Sequence, residues 1–286
     1  MKNLNVFYWL GEKNFGDMLN INICNKLFNI NPIETSPELC EAVFIGSVLD
    51  DFLYKGIFTH TDNFKKKYNQ KVLKIWGSGF IANKNQFIRR RLMLPEIYFR
   101  RFEAFAVRGA YSKERLEYIG KKKLNNIVLA DPGILTSFLV DKIPDKKYKY
   151  GIIPHHIELE MDIWSKFKDN GDIKIIRVDI DPLETVMNIL ECENIFSSAL
   201  HGLIAADAFG IPNCRIIVSN KLIGGDYKFN DYYSSYGIAN HNREIFNIEF
   251  KPYDLKNKYN ISNDLVKEKQ QQLIQCFPFK NDGNMI

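Results

Sequence analysis

Short apolar runs rich in β-branched and aromatic residues alternate along this chain with stretches of helical periodicity. In the first half the pattern predicts strands over 5–10, 42–45, 72–76, 105–107 and 127–129, and helices over 17–28, 86–99 and 112–119. Strands that are apolar throughout, separated by helices, belong to a parallel sheet buried on both faces. The polar, proline-containing stretch Asp141-Lys142-Ile143-Pro144-Asp145-Lys146-Lys147 interrupts the alternation and reads as a linker. A second alternation follows, with strands over 150–153, 173–178, 194–196 and 215–218 and helices over 157–168, 182–190 and 201–209. A last helical pattern covers 262–276. The expected architecture is α/β, with an N-terminal unit over 1–141, a second unit over 148–261 and a C-terminal helix and tail over 262–286.

Composition narrows this picture without redirecting it. Of 286 residues, 45% are hydrophobic, enough for a substantial core and unlike a disordered chain. The 39 basic and 34 acidic side chains leave a net charge of only +5, so charge alone does not define a nucleic-acid binder. The basic residues cluster at Phe64-Lys65-Lys66-Lys67-Tyr68 and from Arg89-Arg90-Arg91 to Arg100-Arg101, interleaved with apolar side chains. A solvated helix face is the ordinary origin of such runs; the sharper reading is a surface that meets anionic lipid head groups, for peripheral membrane association, or a diphosphate-linked substrate. Cys24, Cys40, Cys192, Cys214 and Cys276 show no metal-ligand or CxxC spacing, which predicts reduced, buried thiols and a cytoplasmic protein. The first apolar run is short and leads into Glu12-Lys13, unlike a signal peptide, and no apolar stretch approaches membrane-spanning length.

The most informative segment runs from Ser197 to Pro212. It predicts a buried strand passing into a helix of small and apolar residues, stopped by Gly210-Ile211-Pro212. Leu200 and His201 then lie on the first helical turn at the carboxyl end of a strand, where open α/β sheets bind ligands and where helix N–H groups favour anions. His201 can act as a general acid or base near neutral pH. Elsewhere on the predicted ligand edge, Arg108 follows a buried strand and is suited either to a structural carboxylate or to a bound anion. Asp131-Pro132-Gly133 reads as a turn, and Asp17 as a helix N-cap or, with Asn14, a contact to a polyol. Ser78, between two glycines, belongs to a loop at the same edge, and His155 ends a strand at the start of the second unit. Lys221 and Lys228 fall in the loop after strand 215–218, where Gly224-Gly225 gives freedom to close over an anion.

With these residues in order, the chain resembles the polysaccharide pyruvyl transferase family. The matching pieces are Asn14-Phe15-Gly16-Asp17, Gly77-Ser78-Gly79, Val107-Arg108-Gly109-Ala110-Tyr111-Ser112, Asp131-Pro132-Gly133, Gly151-Ile152-Ile153-Pro154-His155, the segment around His201, Lys228-Phe229-Asn230-Asp231-Tyr232-Tyr233, and Tyr236-Gly237-Ile238. The resemblance implies two Rossmann-like domains facing a cleft, as in B-type glycosyltransferases. It implies transfer of a pyruvyl group from phosphoenolpyruvate to a sugar of a surface polysaccharide or its lipid-linked precursor, forming a cyclic ketal, with no metal and no organic cofactor. On this reading His201 and Arg108 are catalytic, Arg108, Leu200, His201, Lys221 and Lys228 bind the donor, and Asn14, Asp17, Ser78 and His155 face the acceptor. Many relatives carry an arginine two residues before the histidine; this chain has Ala199, so Lys228 or Lys221 supplies the missing charge. Two other readings fit the same pattern. One is a nucleotide-sugar-dependent glycosyltransferase, with Glu184 or Glu191 as the carboxylate for the ribose, and the other is an inactive relative that only binds glycan.

Overall fold

Asn14 starts the first helix, its side chain accepting from the Gly16 N–H, and Asn29 ends it in the left-handed conformation with φ 54°. This computed structural model describes residues 1–9, 11, 13–55, 61–68, 70–83, 97–238, 243–247 and 249–279. Strand β1 (Lys2–Val6) leads into helix α1 (Phe15–Phe28), whose Phe15, Leu19 and Ile23 recur on one buried face. Strands β2 (Ile30–Glu34), β3 (Ala42–Val43) and β4 (Leu53–Lys55) follow, then helix α2 (Asp62–Tyr68) and strands β5 (Leu73–Trp76), β6 (Ile97–Phe99) and β7 (Phe102–Val107). Helix α3 (Ala110–Gly120) and strand β8 (Val128–Leu129) complete the first half. The second half carries strands β9 (Tyr148–Ile153) and β10 (Ile173–Ile175), helix α4 (Pro182–Leu190), strand β11 (Cys192–Ser197), helix α5 (Leu200–Ala208), strand β12 (Asn213–Ile217), helix α6 (Tyr227–Ser234), strand β13 (Arg243–Ile245) and helix α7 (Asn263–Gln275).

Two parallel sheets result, in the orders β2-β1-β3-β5-β7-β8 and β10-β9-β11-β12-β13. The α/β expectation is met, with parallel pairing throughout both large sheets. The exposed stretch 141–147 carries the chain from one sheet to the other. A single buried apolar cluster fills the space between the sheets, joining Leu4, Val6, Leu19 and Trp76 to Ile153, Val186, Leu203 and Ile204. Separate clusters cover the outer faces, around Phe52, Phe80 and Val107 on one side and Trp164, Phe196 and Phe246 on the other. Helix α7 returns across the joint. Leu273 O accepts from Trp76 Nε1 at 3.0 Å, Lys269 Nζ donates to Leu129 O at 2.8 Å, and Phe277 stacks on Phe28 with ring centroids 3.7 Å apart.

Several expected elements differ from what folds. The first strand is Lys2–Val6, not 5–10, because it pairs in register with Ile30–Glu34. The strand expected over 173–178 pairs with β9 only over Ile173–Ile175. Of the helix expected over 86–99, residues 97–99 form β6, antiparallel to β4, and the earlier part lies outside the described residues. Ile97-Tyr98-Phe99 are strand formers, and their pairing with Leu53–Lys55 decides their state. The helix expected over 157–168 is two 3-10 segments, His156–Glu158 and Asp162–Phe167. The buried Glu158 carboxylate accepts from Ser198 Oγ at 2.6 Å and Ser219 Oγ at 2.5 Å, which pins the chain at its bend. Lys228 belongs to α6, not to a loop. The basic surface is also smaller than its sequence run: Arg100 is fully buried, donating to Pro37 O at 2.7 Å and Lys71 O at 2.8 Å, and residues 89–91 lie outside the described residues. Cys24, Cys40, Cys192 and Cys214 are buried and outside any disulfide, as expected, whereas Cys276 is only partly buried. Among the described residues, no helix is long and apolar enough to cross a membrane.

One tie between the halves is ionic. Arg108, just after β7, and Asp231, on α6, form a pair at 2.8 Å with both side chains 0% exposed. Ser112 donates to the same carboxylate through its N–H at 2.8 Å and its hydroxyl at 2.6 Å. The remaining Arg108 nitrogens donate to Ser47 Oγ and Phe80 O, each at 2.5 Å. Gly109 is required by proximity, because a Cβ there would lie 1.7 Å from Asp231 O. Replacing Asp231 by Ala leaves a buried guanidinium without its counter-charge, and should cost about 3–5 kcal/mol. Urea unfolding of the variant measures this; a loss near that of a surface pair, about 0–1 kcal/mol, would show that the pair does not tie the halves together.

Candidate active site

In both sheets the candidate residues follow the carboxyl ends of strands, as the position of ligand sites in open α/β sheets requires. Asn14 and Asp17 follow β1, Ser78 follows β5, Arg108 follows β7 and Asp131 follows β8. His155 follows β9 and His201 follows β11. The two edges meet. The Phe15 N–H donates to Val178 O at 2.8 Å, and the His201 ring lies against Gly16 so closely that a Cβ there would fall 1.8 Å from Nδ1.

His201 is the second residue of α5, and Leu200 is the first and buried. Ala199 precedes the helix in extended conformation and supplies no side-chain cap. His201 Nε2 faces Asp131 Oδ2 across 3.8 Å, too far for a hydrogen bond. Both atoms are buried without a hydrogen-bond partner. Burial drives both groups toward their neutral forms. The imidazole falls to about 3, with Arg108 and Lys228 adding to the effect of burial. The carboxyl rises to about 7, opposed by the Gly133 N–H and Arg108. Asp17 is also raised to about 7 by burial, against the opposing charge of Lys228 and a hydrogen bond from the Trp9 backbone. At neutral pH the site therefore holds a neutral imidazole beside two carboxyl groups that are each part protonated.

Lys228 is buried on α6, and burial brings its ammonium down to about 8, aided by Arg108 and Arg215. Its Nζ lies 3.5 Å from His155 Nε2. His155 is held neutral, its value lowered to about 2 by burial and by Lys228, and its Nδ1 is buried with no hydrogen-bond partner. The His155 N–H donates to Ser198 Oγ at 2.8 Å, so the Glu158–Ser198 bond also fixes this loop.

The sequence-derived residues divide into two groups. Asn14, Asp17, His155, His201 and Lys228 come together. Asn14 rather than Asp17 caps α1, since the helix begins at Phe15; Asp17 accepts from Asn14 Nδ2 at 3.0 Å. Arg108 takes the structural-carboxylate arrangement, paired with Asp231. Ser78 is fully buried and donates to Gly46 O at 2.8 Å, joining two turns. Lys221 is exposed, and its backbone N–H donates to Ser219 Oγ at 3.3 Å. Asp131, read from sequence as a turn, caps the following 3-10 segment through Oδ1 and leaves Oδ2 facing His201. Arg215 was not singled out. It lies on β12 beside Ser197 in register, stacks 3.7 Å over the Phe229 ring, pairs with Asp226 at 2.8 Å and keeps Nε buried without a partner. Its sequence signal is a lone charged side chain within a buried strand, Asn213–Ile217. Among the described residues, no group of three or more His, Cys, Asp or Glu side chains is arranged to hold a metal.

The buried imidazole makes stability depend on pH. An unfolded imidazole takes its proton near 6.5, whereas folded His201 takes it near 3. Between those values the unfolded chain holds more protons, so the stability owed to neutral His201 is full above about 6.5 and is lost as pH falls toward 3. The raised carboxyls of Asp17 and Asp131 act oppositely, losing stability as pH rises from about 4 to 7. Subtracting the His201→Gln profile from the wild-type profile isolates the histidine. The difference should rise with pH by up to about 1.4 kcal/mol per unit within that window and be flat above it. Parallel urea-unfolding profiles for the two proteins would refute a buried neutral imidazole.

The chain is similar to several known proteins. Over 293 residues the chain is 28% identical to an uncharacterized protein of Acanthamoeba polyphaga mimivirus, covering 96% of this chain and 90% of that one. It is 24% identical over 118 residues to the succinoglycan biosynthesis protein ExoV of Rhizobium meliloti (strain 1021), covering 41% of this chain and 37% of ExoV. A crystal structure of an uncharacterized protein from Klebsiella pneumoniae subsp. pneumoniae NTUH-K2044 aligns with a TM-score of 0.45 and 11% identity, over 85% of this chain and 93% of that one. The profile of the polysaccharide pyruvyl transferases matches residues 14–220, from Asn14 through the His201 helix, and the chain belongs to that family.

Proposed function

We propose that this protein transfers the pyruvyl group of phosphoenolpyruvate to a sugar of a surface polysaccharide or its lipid-linked precursor, forming a pyruvate ketal. On this reading the two parallel sheets are the Rossmann-like halves of a B-type glycosyltransferase architecture, with 1–141 on the acceptor side and 148–261 on the donor side. The observation that carries the proposal is the convergence of His201, Asp131, Asp17 and Lys228 from both sheets, with Nε2 and Oδ2 buried and unpartnered.

The chemistry needs cations for a carboxylate and a phosphate, an acid for the enol carbon and a base for a sugar hydroxyl. Lys228 and Arg215 provide positive charge, with the uncapped start of α5 at Leu200 and His201 supplying N–H groups. Arg108 contributes from a distance, by holding α6 and hence Lys228 through Asp231. The neutral imidazole of His201 is suited to be the base, and the part-protonated carboxyl of Asp131 to be the acid. Protonation of the methylene carbon makes the adjacent carbon electrophilic. A sugar hydroxyl attacks it and gives its proton to His201. The carbon–oxygen bond to phosphate breaks, a second hydroxyl closes the ketal, and its proton leaves with the phosphate. Asn14, Asp17 and His155 face the acceptor.

The nucleotide-sugar alternative is less well supported, because Glu191 is engaged by Lys147 and Lys174 at the amino edge of the second sheet, away from the site. The inactive-relative reading rests on Ala199, and Lys228 with Arg215 offsets that loss.

Phosphate release from phosphoenolpyruvate with an acceptor glycan tests the proposal. Replacing His201 by Ala should lower kcat by about 10²- to 10⁴-fold. Replacing Gly16 by Ala should do nearly the same by pushing the imidazole aside, while circular dichroism stays native. Lys228→Met should chiefly raise KM for phosphoenolpyruvate. Full activity of folded His201→Ala, or thermal stabilisation by nucleotide sugars and not by phosphoenolpyruvate, would sink the proposal.

A further inference from the structure

Trp9 follows β1 and is 55% exposed, whereas the other two tryptophans, Trp76 and Trp164, are buried at 0% and 5%. Folding ordinarily covers most of so large an apolar side chain. The exposed indole stands at the candidate site. The Trp9 backbone N–H donates to the Asp17 carboxyl, which also accepts from Asn14 Nδ2 at 3.0 Å. The turn that carries the indole is therefore tied to the two residues assigned to the acceptor. The Phe15 N–H closes the same turn against Val178 O, beyond β10 of the second sheet, at 2.8 Å.

One face of the ring is seated and the other is open. A Cβ at Gly11 would lie 2.9 Å from Cε2, Cζ2 and Nε1 alike. Equal distances to three consecutive ring atoms put that position above the ring plane, not at its edge, so the Gly11 backbone covers one indole face. The 55% exposure then belongs to the opposite face and the rim. Glycine at position 11 permits this contact, because a side chain there would crowd the ring.

A supported indole face beside a carboxyl and an amide has the chemistry that recognises a pyranose. The C–H face of the sugar lies on the aromatic ring, and its hydroxyls reach the polar groups at the margin. We infer that Trp9 is the platform on which a pyranose ring of the acceptor stacks, with its hydroxyls toward Asn14 and Asp17. The inference rests on the function proposed above for the fate of that sugar. It adds the residue that selects a ring-form acceptor over an open-chain polyol.

Acrylamide quenching of intrinsic fluorescence on the full chain reads Trp9 selectively, since Trp76 and Trp164 are buried. The probes are the methyl pyranosides of glucose, galactose, mannose and N-acetylglucosamine, with sorbitol as the open-chain control. At least one pyranoside should remove most of the quenching, and sorbitol should leave it unchanged. Saturation-transfer NMR with the protecting pyranoside then compares two variants. Trp9→Phe keeps an aromatic face and should bind within about threefold of wild type, whereas Trp9→Leu keeps only apolar bulk and should bind about five- to tenfold more weakly. The exposure of Trp9 allows either replacement without loss of the fold, which circular dichroism checks. Quenching unaffected by every pyranoside, equal protection by sorbitol, or equal binding by the Phe and Leu variants would overturn the inference. Phosphoenolpyruvate is titrated separately by thermal shift. If it fails to stabilise the protein while pyranoside protection persists, the transferase reading falls and the platform stands; if it stabilises the protein and no pyranoside protects Trp9, the platform falls and the transferase reading stands.

Discussion

The buried pair of Arg108 and Asp231 is the constraint on which the site depends. Each charge would be costly in the interior without the other, and every Arg108 nitrogen and both Asp231 oxygens are taken up by hydrogen bonds or the pair itself. The pair fixes the β7–α3 turn against α6. Gly109 lets the two backbones touch, and Ser234 adds a bond from the Ala110 N–H at 2.8 Å. Because Lys228 lies near the start of α6, this one junction sets the position of the buried ammonium.

The site built on that junction is defined by desolvation more than by pairing. His201, Asp131, Asp17 and Lys228 are all displaced toward their neutral forms, and burial is the largest cause for each. A low-dielectric pocket that keeps an imidazole neutral and carboxyls half protonated has a base and an acid available at one pH. It also strengthens every interaction an anionic ligand would make with Lys228 and Arg215. Rigidity matters equally: the contact between Gly16 and the His201 ring locks the first sheet's turn to the second sheet's helix.

Much of the fold was legible locally. The helix over 182–190 has the same bounds in sequence and structure, since Asp181 caps it and Pro182 fills its first turn. Continuous apolar runs gave the central strands, because a strand covered on both faces has no polar side to show. The 97–99 strand and the broken 157–168 segment were not legible. Their states are set by pairing with Leu53–Lys55 and by the Ser198 and Ser219 bonds to Glu158, partners distant in the chain. Among site residues, His201 stood out as a titratable group among small residues at a helix start, whereas Lys228 was read as one of two loop lysines. Asp131 did not, because Asp-Pro-Gly is also the ordinary chemistry of a turn, and one carboxylate oxygen does serve that turn.

By itself the sequence determined the α/β class, most of the elements, and which residues follow strand ends, because periodicity, caps and turn residues act over a few positions. Only the tertiary structure decided which of those residues act together. Arg108 had two partners open to it in sequence, and a carboxylate 123 positions away took it into the core. Lys221 and Lys228 looked alike seven residues apart, yet one is exposed and the other buried against His155. The state of a charge follows from its burial and from neighbours brought in by folding, and neither quantity is local in the chain.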